Sequence, residues 1–188
     1  MSDKTLNYKP ILNVKETEHA IVAIKDFFQL ELSTELNLTR VTAPLFVPAG
    51  TGINDDLNGV EKPVSFNVKG MGGQKMEIVQ SLAKWKRLKV TELGMKPGFG
   101  IYTDMNAIRP DEELDAVHSL YVDQWDWCMA IDEKDRTIFY LFDIVKKIYR
   151  TLKRTEFFLY DRYSVLEPVL PEEIKLIYSD DLLRNYKS

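Results

Sequence analysis

Four short segments of this 188-residue sequence carry the side chains best suited to chemistry. They are the loop 54–56 (NDD), the basic run 81–87 (SLAKWKR), Arg109, and the segment 121–127 (YVDQWDW). Cations near a helix start are suited to binding anions, and a guanidinium can hold a phosphate through two parallel hydrogen bonds. The sequence therefore points to a site for phosphate or carboxylate groups.

The basic run and the acidic loop each have two interpretations. Residues 81–87 begin a predicted helix, where Ser81 could cap the helix or contact an anionic ligand, but such a run is also typical of a solvated helix face. Lys84 and Lys86 lie about 200° apart around a helix, so the two cannot share one pocket. Residues 54–56 could receive an ammonium group, although Asn and Asp are also common loop formers.

Arg109 and the strand that follows it form the most informative part of the sequence. Arg109 lies where a predicted strand gives way to the loop RPDEELDAVH, so it is placed either to bind a phosphate or to pair with an acid of its own loop. Along the next predicted strand, Gln124 and Asp126 face one way, while Asp123 and Trp125 face the other. Polar groups on a buried strand are costly unless they are paired or used.

Composition and missing motifs exclude several classes of site. One cysteine, Cys128, rules out an internal disulfide and a thiolate cluster, and two histidines make a zinc site hard to assemble, so we predict no metal ligands. Phosphate-loop and GxGxxG motifs are missing. A net charge of −4 argues against a nucleic-acid partner, and no stretch has the roughly 18 apolar residues of a membrane span. The polar N-terminus leads us to expect a cytoplasmic protein.

Hydrophobic periodicity predicts an α+β chain. We expect helices over 16–36, 81–93 and 134–160, strands over 39–47, 64–68, 100–108 and 119–127, and a loop over 48–59. Thr17 is expected to cap the first helix, Pro44 to interrupt the first strand, and Gly94 to close the second helix. This order predicts a single domain over residues 1–188, with a mainly antiparallel sheet flanked by helices.

Four segments also show a specific family resemblance: TGINDDLNGVEKPVSF, IVQSLAKWKR, GIYTDMNAIRPDEEL and HSLYVDQWDW. They resemble the ammonia-dependent asparagine synthetases, or aspartate–ammonia ligases, and the similarity runs from the first helix to SDDLLRNY. The resemblance implies the catalytic-core fold of class II aminoacyl-tRNA synthetases. The first helix and the strand ending at Pro44 then resemble motif 1, which usually builds a homodimer interface, and the Arg109 hairpin resembles motif 2.

The resemblance implies that aspartate, ATP and ammonia give asparagine, AMP and pyrophosphate through a β-aspartyl adenylate, with Mg²⁺ accompanying ATP. Arg109 is then expected to bind the ATP α-phosphate and to stabilise charge as the adenylate forms. Lys86 is expected to contact the side-chain carboxylate of aspartate or the acyl phosphate. Its loss should lower turnover by orders of magnitude and leave folding nearly intact, while loss of Lys84 should be mild.

The remaining site residues also follow from the resemblance. Gln124 and Asp126 are expected to orient the amino acid, and Asp55 and Ser81 to complete the pocket. Asp55 alternatively helps the incoming ammonium to lose a proton. At Gln80 the sequence departs from the family, which carries histidine there.

The family continues well past SDDLLRNY into a second half that supplies motif 3. The sequence is therefore expected to be the N-terminal half of such an enzyme, truncated before that motif. Two alternatives stay open: an inactive or partner-dependent fragment, and an adenylating protein related to asparaginyl-tRNA synthetase.

Overall fold

The computed structural model describes residues 9–55, 57–115 and 117–185, and within them the chain forms four α-helices and six β-strands. The helices are α1 (Val14–Glu35), α2 (Ala83–Glu92), α3 (Ile138–Arg162) and α4 (Ser179–Asn185). The strands are β1 (Leu38–Arg40), β2 (Phe46–Pro48), β3 (Ser65–Val68), β4 (Gln74–Ile78), β5 (Gly100–Ile108) and β6 (Tyr121–Met129).

The strands form two three-stranded sheets. In the larger, ordered β1-β5-β6, β1 runs parallel to β5 and β6 runs antiparallel to it; in the smaller, ordered β2-β4-β3, both pairings are antiparallel. The prediction of an α+β fold with mainly antiparallel strands is confirmed, although the strands divide between two sheets. The predicted strand 39–47 is split between them, because Pro44 lies in the connection and cannot donate a ladder hydrogen bond.

Each face of the larger sheet covers its own hydrophobic core. The face toward α2 contains Val47, Val79, Leu82, Met105 and Ala107. The opposite face packs against α1 and α3 through Leu32, Leu36, Leu38 and Ile144. A strand presents alternate residues to opposite faces, so β5 and β6 contribute side chains to both cores at once.

The alternation along β6 follows the sequence prediction. Asp123 faces α1, where its carboxylate accepts from Lys25 at 3.1 Å. Trp125 faces the same way and packs edge-on against Phe28, with ring centroids 5.5 Å apart. Asp126 turns to the other face and pairs with Lys86 of α2.

Some ends of helices and strands differ from the sequence prediction. Helix α1 is capped by Asn13, whose side chain accepts from the Glu16 N–H at 2.9 Å, so the prediction of Thr17 as the cap is wrong. Strand β4 lies outside the predicted elements. Gly94 follows α2 with φ of +60°, which confirms it as the residue that closes the helix.

Helices α1 and α3 are joined by a charged clamp beside their apolar contact. Glu35 of α1 accepts from Arg150 at 3.0 Å and from Arg154 at 3.2 Å. Partial burial raises the pKa of Glu35, but the hydrogen bonds from the two arginines outweigh it and hold the pKa below the ordinary value of 4.5. The ionised carboxylate therefore stabilises the folded state.

We predict that Glu35→Gln lowers the free energy of unfolding by about 0.5–1 kcal/mol near neutral pH. Because the folded-state pKa is depressed, this stabilisation is present above pH 4.5 and is lost as the pH falls through the lower folded-state value. Urea titrations of wild type and variant should therefore converge under acidic conditions. Glu18→Gln, at an exposed position of α1, is the control. A deficit for Glu35→Gln that is the same at about pH 2 as at neutral pH would contradict the assignment.

Candidate active site

An ion pair between Lys86 and Asp126 lies between α2 and β6. The Lys86 ammonium contacts the Asp126 carboxylate and also donates to the Trp127 carbonyl at 3.0 Å. Asp126 accepts in addition from the Trp127 N–H at 2.9 Å. The Lys86 side chain is 9% exposed and that of Asp126 is 23% exposed, so solvent reaches the pair mainly from the carboxylate side.

The position of Lys86 in α2 explains why this cation is buried within a basic run. Leu82 lies one turn earlier and is fully buried, so Lys86 shares the face of the helix that packs on the sheet. Arg87, the next residue, is exposed and donates to the Ala83 carbonyl of its own helix. Lys84 donates at 3.5 Å to the Asn54 carbonyl, so the two lysines reach different partners, as their separation around the helix predicts.

The burial of Lys86 corrects one expectation. Loss of an exposed lysine costs little stability, but loss of Lys86 leaves the Asp126 carboxylate, whose side chain is only 23% exposed, without its main partner. Removal of Lys86 should therefore destabilise the fold, by about 1–3 kcal/mol. The sequence prediction of nearly intact folding does not fit this geometry.

The loop before β3 is fastened to the same region by Asn54. Its side-chain oxygen accepts from the Gln80 N–H at 2.9 Å, and its amide nitrogen donates to the Ile78 carbonyl at 3.2 Å. Asn54 is 7% exposed, and Ile53 beside it packs against the core under α2. The half-buried Asp55 is thereby held next to a fixed residue, while Asp56 lies outside the described residues.

Ser81 and Gln124 border the same core. The Ser81 hydroxyl accepts from the Ala83 N–H at 3.2 Å, next to the start of α2, but the N-cap residue of that helix is Leu82 and no side chain caps it. Gln124 is half-buried and is directly opposite Met105 in the β5–β6 register. Residues opposite each other in a sheet share a face, so Gln124 is directed toward α2, together with Asp126.

Arg109 lies in a cleft of about 220 Å³ at the far end of β5. Its backbone N–H donates to the Leu120 carbonyl, which closes the base of the hairpin loop. The guanidinium comes no closer than 4.0 Å to Glu112, and its buried Nε has no hydrogen-bond partner among the described residues. The geometry is compatible with both predicted roles of Arg109. Glu112 of its own loop lies 4.0 Å away, as expected for a structural ion pair, and the Nε donor is unused, as expected for a phosphate-binding residue.

The cleft contains one functional candidate that the sequence prediction left out of the site. Gln80 directly precedes Ser81, lines the cleft with Arg109 and is 1% exposed. Neither polar atom of its side chain has a partner among the described residues. A single glutamine between Val79 and Ser81 carries no sequence pattern that reveals burial, so only its position in the fold identifies it.

The structure therefore brings the predicted residues together in two groups. Lys86 contacts Asp126 directly, with Gln124 on the same face of β6. Arg109 lies in the Gln80 cleft and makes no described contact with Lys86. The start of α2 connects the groups, because Gln80 and Ser81 immediately precede the helix that carries Lys86.

Comparison with known proteins identifies the family that shares this arrangement of segments. The family profile described as AsnA, aspartate-ammonia ligase, matches residues 15–188. The chain belongs to the aspartate-ammonia ligase family. The resemblance carried by SLAKWKR, RPDEEL and VDQWDW is thereby confirmed.

Aspartate–ammonia ligases of two bacterial genera illustrate the similarity. The Bacteroides thetaiotaomicron enzyme is 55% identical over 183 residues, which cover 97% of this chain and 53% of the relative. The Clostridium perfringens strain 13 enzyme is 54% identical over 179 residues, covering 95% of this chain and 53% of the relative. The chain spans about half the length of these curated relatives.

A solved structure supports the class II synthetase fold. A pyrrolysyl-tRNA synthetase of Desulfitobacterium hafniense superposes with a TM-score of 0.50 over 74% of this chain and 48% of that chain, at 15% identity. At this identity the likeness shows the fold alone. The sequence prediction of a fold like that of class II synthetases is confirmed.

Two further features of the described residues bear on the site. None of the helices in the described ranges combines the length and apolar character needed to cross a bilayer. In the same ranges, no three side chains among His, Cys, Asp and Glu gather closely enough to hold a metal ion by themselves.

Cys128 provides a natural probe of the ion pair in this family member. It lies two residues beyond Asp126 on β6, on the same face of the strand. Burial raises the pKa of the Cys128 thiol, the charge of Lys86 lowers it, and the charge of Asp126 raises it again. The thiol therefore responds to each member of the pair with opposite sign.

We predict that Lys86→Met raises the pKa of Cys128 further and that Asp126→Asn lowers it, because the two changes remove charges of opposite sign. The measurement is the pH at which iodoacetamide alkylates the single cysteine at half its maximal rate. Lys89→Met is the matched control on the same helix, because Lys89 pairs with Glu92 instead. Shifts of the same sign in Lys86→Met and Asp126→Asn would show that the thiol does not sense the pair.

Proposed function

We propose that this protein catalyses the ATP-dependent amidation of L-aspartate by ammonia. The side-chain carboxylate of aspartate attacks the α-phosphorus of ATP, the bond to pyrophosphate breaks, and a β-aspartyl adenylate forms. Ammonia then attacks the acyl carbon, AMP leaves, and loss of a proton gives asparagine. Family membership and the buried Lys86–Asp126 pair together support this proposal.

The ion pair is suited to an amino-acid substrate because it offers one charge of each sign. A bound aspartate presents carboxylates to the Lys86 ammonium and its own ammonium to Asp126. Each substrate group replaces part of an interaction that the pair already makes, so both charges stay compensated when water is excluded. Gln124 lies on the same face of β6 and is proposed to help orient the amino acid.

Arg109 is proposed to hold the α-phosphate and to stabilise the charge that develops there. The unused Nε donor and the loose 4.0 Å approach to Glu112 leave the guanidinium available for two parallel bonds to a phosphate. Because such bonds strengthen as charge builds on the transferred group, they contribute more to adenylate formation than to ground-state binding.

The remaining residues are proposed to complete the site. Asp55 takes up a proton from the incoming ammonium or contacts the substrate, and Ser81 holds the start of α2 in place. Mg²⁺ usually binds through one or two carboxylates together with nucleotide phosphates, and it is proposed to accompany ATP, as the family resemblance implies. The ion would screen charge on the phosphates of ATP.

We also propose that the protein is cytoplasmic and acts as a homodimer through α1 and the strand preceding Pro44. Large apolar side chains on α1 are exposed in the single chain, among them Val22, Ile21 and Leu30. Val22 and Leu30 border one groove between α1 and the end of α3, and exposed apolar surface of this kind is typical of protein interfaces.

A second candidate function is a fragment that is active only together with a complementary polypeptide. One observation favours it: the chain spans about half the length of its relatives.

We predict that Lys86→Ala lowers the rate of asparagine formation by about 100-fold or more, because it removes the cation that binds the reacting carboxylate. The assay compares steady-state turnover of the native protein and its variants well below each melting temperature, so that the stability loss does not enter. Lys89→Ala is the matched control, because Lys89 belongs to the same helix but pairs with Glu92, so this variant should retain turnover. Equal, small effects of the two substitutions would mean that the basic run serves only as a helix surface.

We predict that Arg109→Ala abolishes most aspartate-dependent exchange between pyrophosphate and ATP, by about 100-fold or more, while aspartate binding changes little. The reason is that the arginine acts on the phosphate and not on the amino acid. Exchange rate and aspartate affinity are measured on the same preparation, with Arg87→Ala as the control arginine, because Arg87 is exposed on α2. Near wild-type exchange in Arg109→Ala would remove the residue from the catalytic site.

A further inference from the structure

Unsatisfied polar atoms concentrate in the cleft that Gln80 shares with Arg109. Five buried side-chain atoms of the described residues have no hydrogen-bond partner, and three of them belong to these two residues: Nε2 and Oε1 of Gln80, and Nε of Arg109. The other two, on Asp104 and Trp125, lie on the face of the sheet toward α1. On the α2 side, all the unsatisfied atoms therefore line a single cleft.

An unsatisfied amide at 1% exposure is costly, because Gln80 has given up its bonds to water and has made none with the protein. Its position is not accidental packing at a loose surface. The Gln80 N–H is fixed by Asn54 at 2.9 Å, and the neighbours Val79 and Leu82 are buried in the core. The backbone thus holds the carboxamide at the cleft, where a ligand with complementary polar atoms would offset the cost.

The chemistry of the cleft indicates what that ligand presents. The acids around it are already engaged: Glu61 accepts from the Asn58 N–H at 3.0 Å, Asp111 accepts from the Lys62 N–H at 3.0 Å, and Glu112 adjoins Arg109. The unused nitrogens of Gln80 and Arg109 are both donors. Two donors on residues that line one cleft, one of them cationic, are suited to anionic oxygen atoms.

The volume of the cleft limits how much of a ligand it holds. About 220 Å³ is below the roughly 300–1,000 Å³ typical of a site that encloses a whole drug-sized molecule. A phosphate with part of its ribose fits this size, whereas a complete nucleotide does not. The Oε1 atom of Gln80 is then left to accept from a hydroxyl of the same ligand.

We propose that the Gln80 carboxamide is a direct nucleotide ligand that donates to the same phosphate as Arg109. This inference rests on the proposed function, since it takes the nucleotide from the adenylation reaction. It adds a neutral donor to the charge of Arg109. A carboxamide does not titrate, so its contribution is independent of pH, in contrast to that of a histidine at the same position.

The test uses Gln80→Met, which keeps the length of the side chain and removes both polar atoms. An apolar replacement of an unsatisfied buried amide should raise the melting temperature, by about 2–4 °C, and at the same time weaken AMP binding by about tenfold or more. Calorimetric titrations with AMP and with adenosine separate phosphate contacts from base contacts, and adenosine affinity should not change. Gln74→Met, an exposed glutamine at the start of β4, is the matched control.

A second variant keeps the test decisive if Gln80→Met does not fold. Gln80→Glu has the same shape but replaces the donor with an anionic acceptor, so it should lose at least as much AMP affinity. Wild-type AMP affinity in either variant, or equal losses for AMP and adenosine in Gln80→Met, would overturn the proposal for Gln80 alone. A wild-type protein that binds no AMP would overturn the proposed function as well.

Discussion

The arrangement of the site depends on a buried lysine that must be neutralised. An ammonium group removed from water is tolerated only beside a counter-charge and acceptors, and Lys86 finds these in Asp126 and the Trp127 carbonyl. Both acceptors belong to β6, so the requirement fixes how α2 lies on the strand. A helix attached only by apolar contacts could slide along the sheet, whereas a helix that carries a buried charge has one position.

The register of α2 in turn determines what precedes it. With Leu82 buried in the core and Lys86 one turn later, Gln80 and Ser81 are placed at the edge of the sheet, near the end of β5. Asn54 ties the loop 51–55 to the same point through the Gln80 N–H. The polar residues around α2 are thus positioned by one helix, and a displacement of α2 would disturb all of them together.

On the α2 side of the sheet, the polar groups around Lys86 have hydrogen-bond partners, whereas several of those around Gln80 and Arg109 have none. Around Lys86 each charge has partners, so the pair can persist in the folded protein without a ligand. Around Gln80 and Arg109 three donors and acceptors have none, and each lowers the stability of the fold. A local loss of fold stability is typical of a binding site, because side chains positioned to contact a ligand do not satisfy one another's hydrogen bonds.

How much of this could be predicted from the sequence follows from the range of the interactions involved. Alternation along β6 depends on local geometry alone, so the opposite directions of Asp123 and Asp126 were predictable. The burial of Lys86 was not, because the run KWKR has the composition of a helix surface and only the distant strand supplies its counter-charge. Family resemblance singled out Lys86, but the accompanying expectation of nearly intact folding did not allow for its burial. Neither local geometry nor the family resemblance predicted the burial of Gln80, because that burial results from contacts made by its neighbours and from a loop 26 residues earlier.

The two faces of β6 show how one short strand can serve stability and chemistry at the same time. Toward α1, Asp123 and Trp125 meet partners that complete the packing of the helix layer. Toward α2, Gln124 and Asp126 occupy the alternate positions, and Asp126 pairs there with Lys86. Because the period of a strand is two, a change of one residue in register would exchange these sets. The extensive pairing of β5 with β6, over residues 100–108 and 121–129, therefore protects the site as well as the sheet.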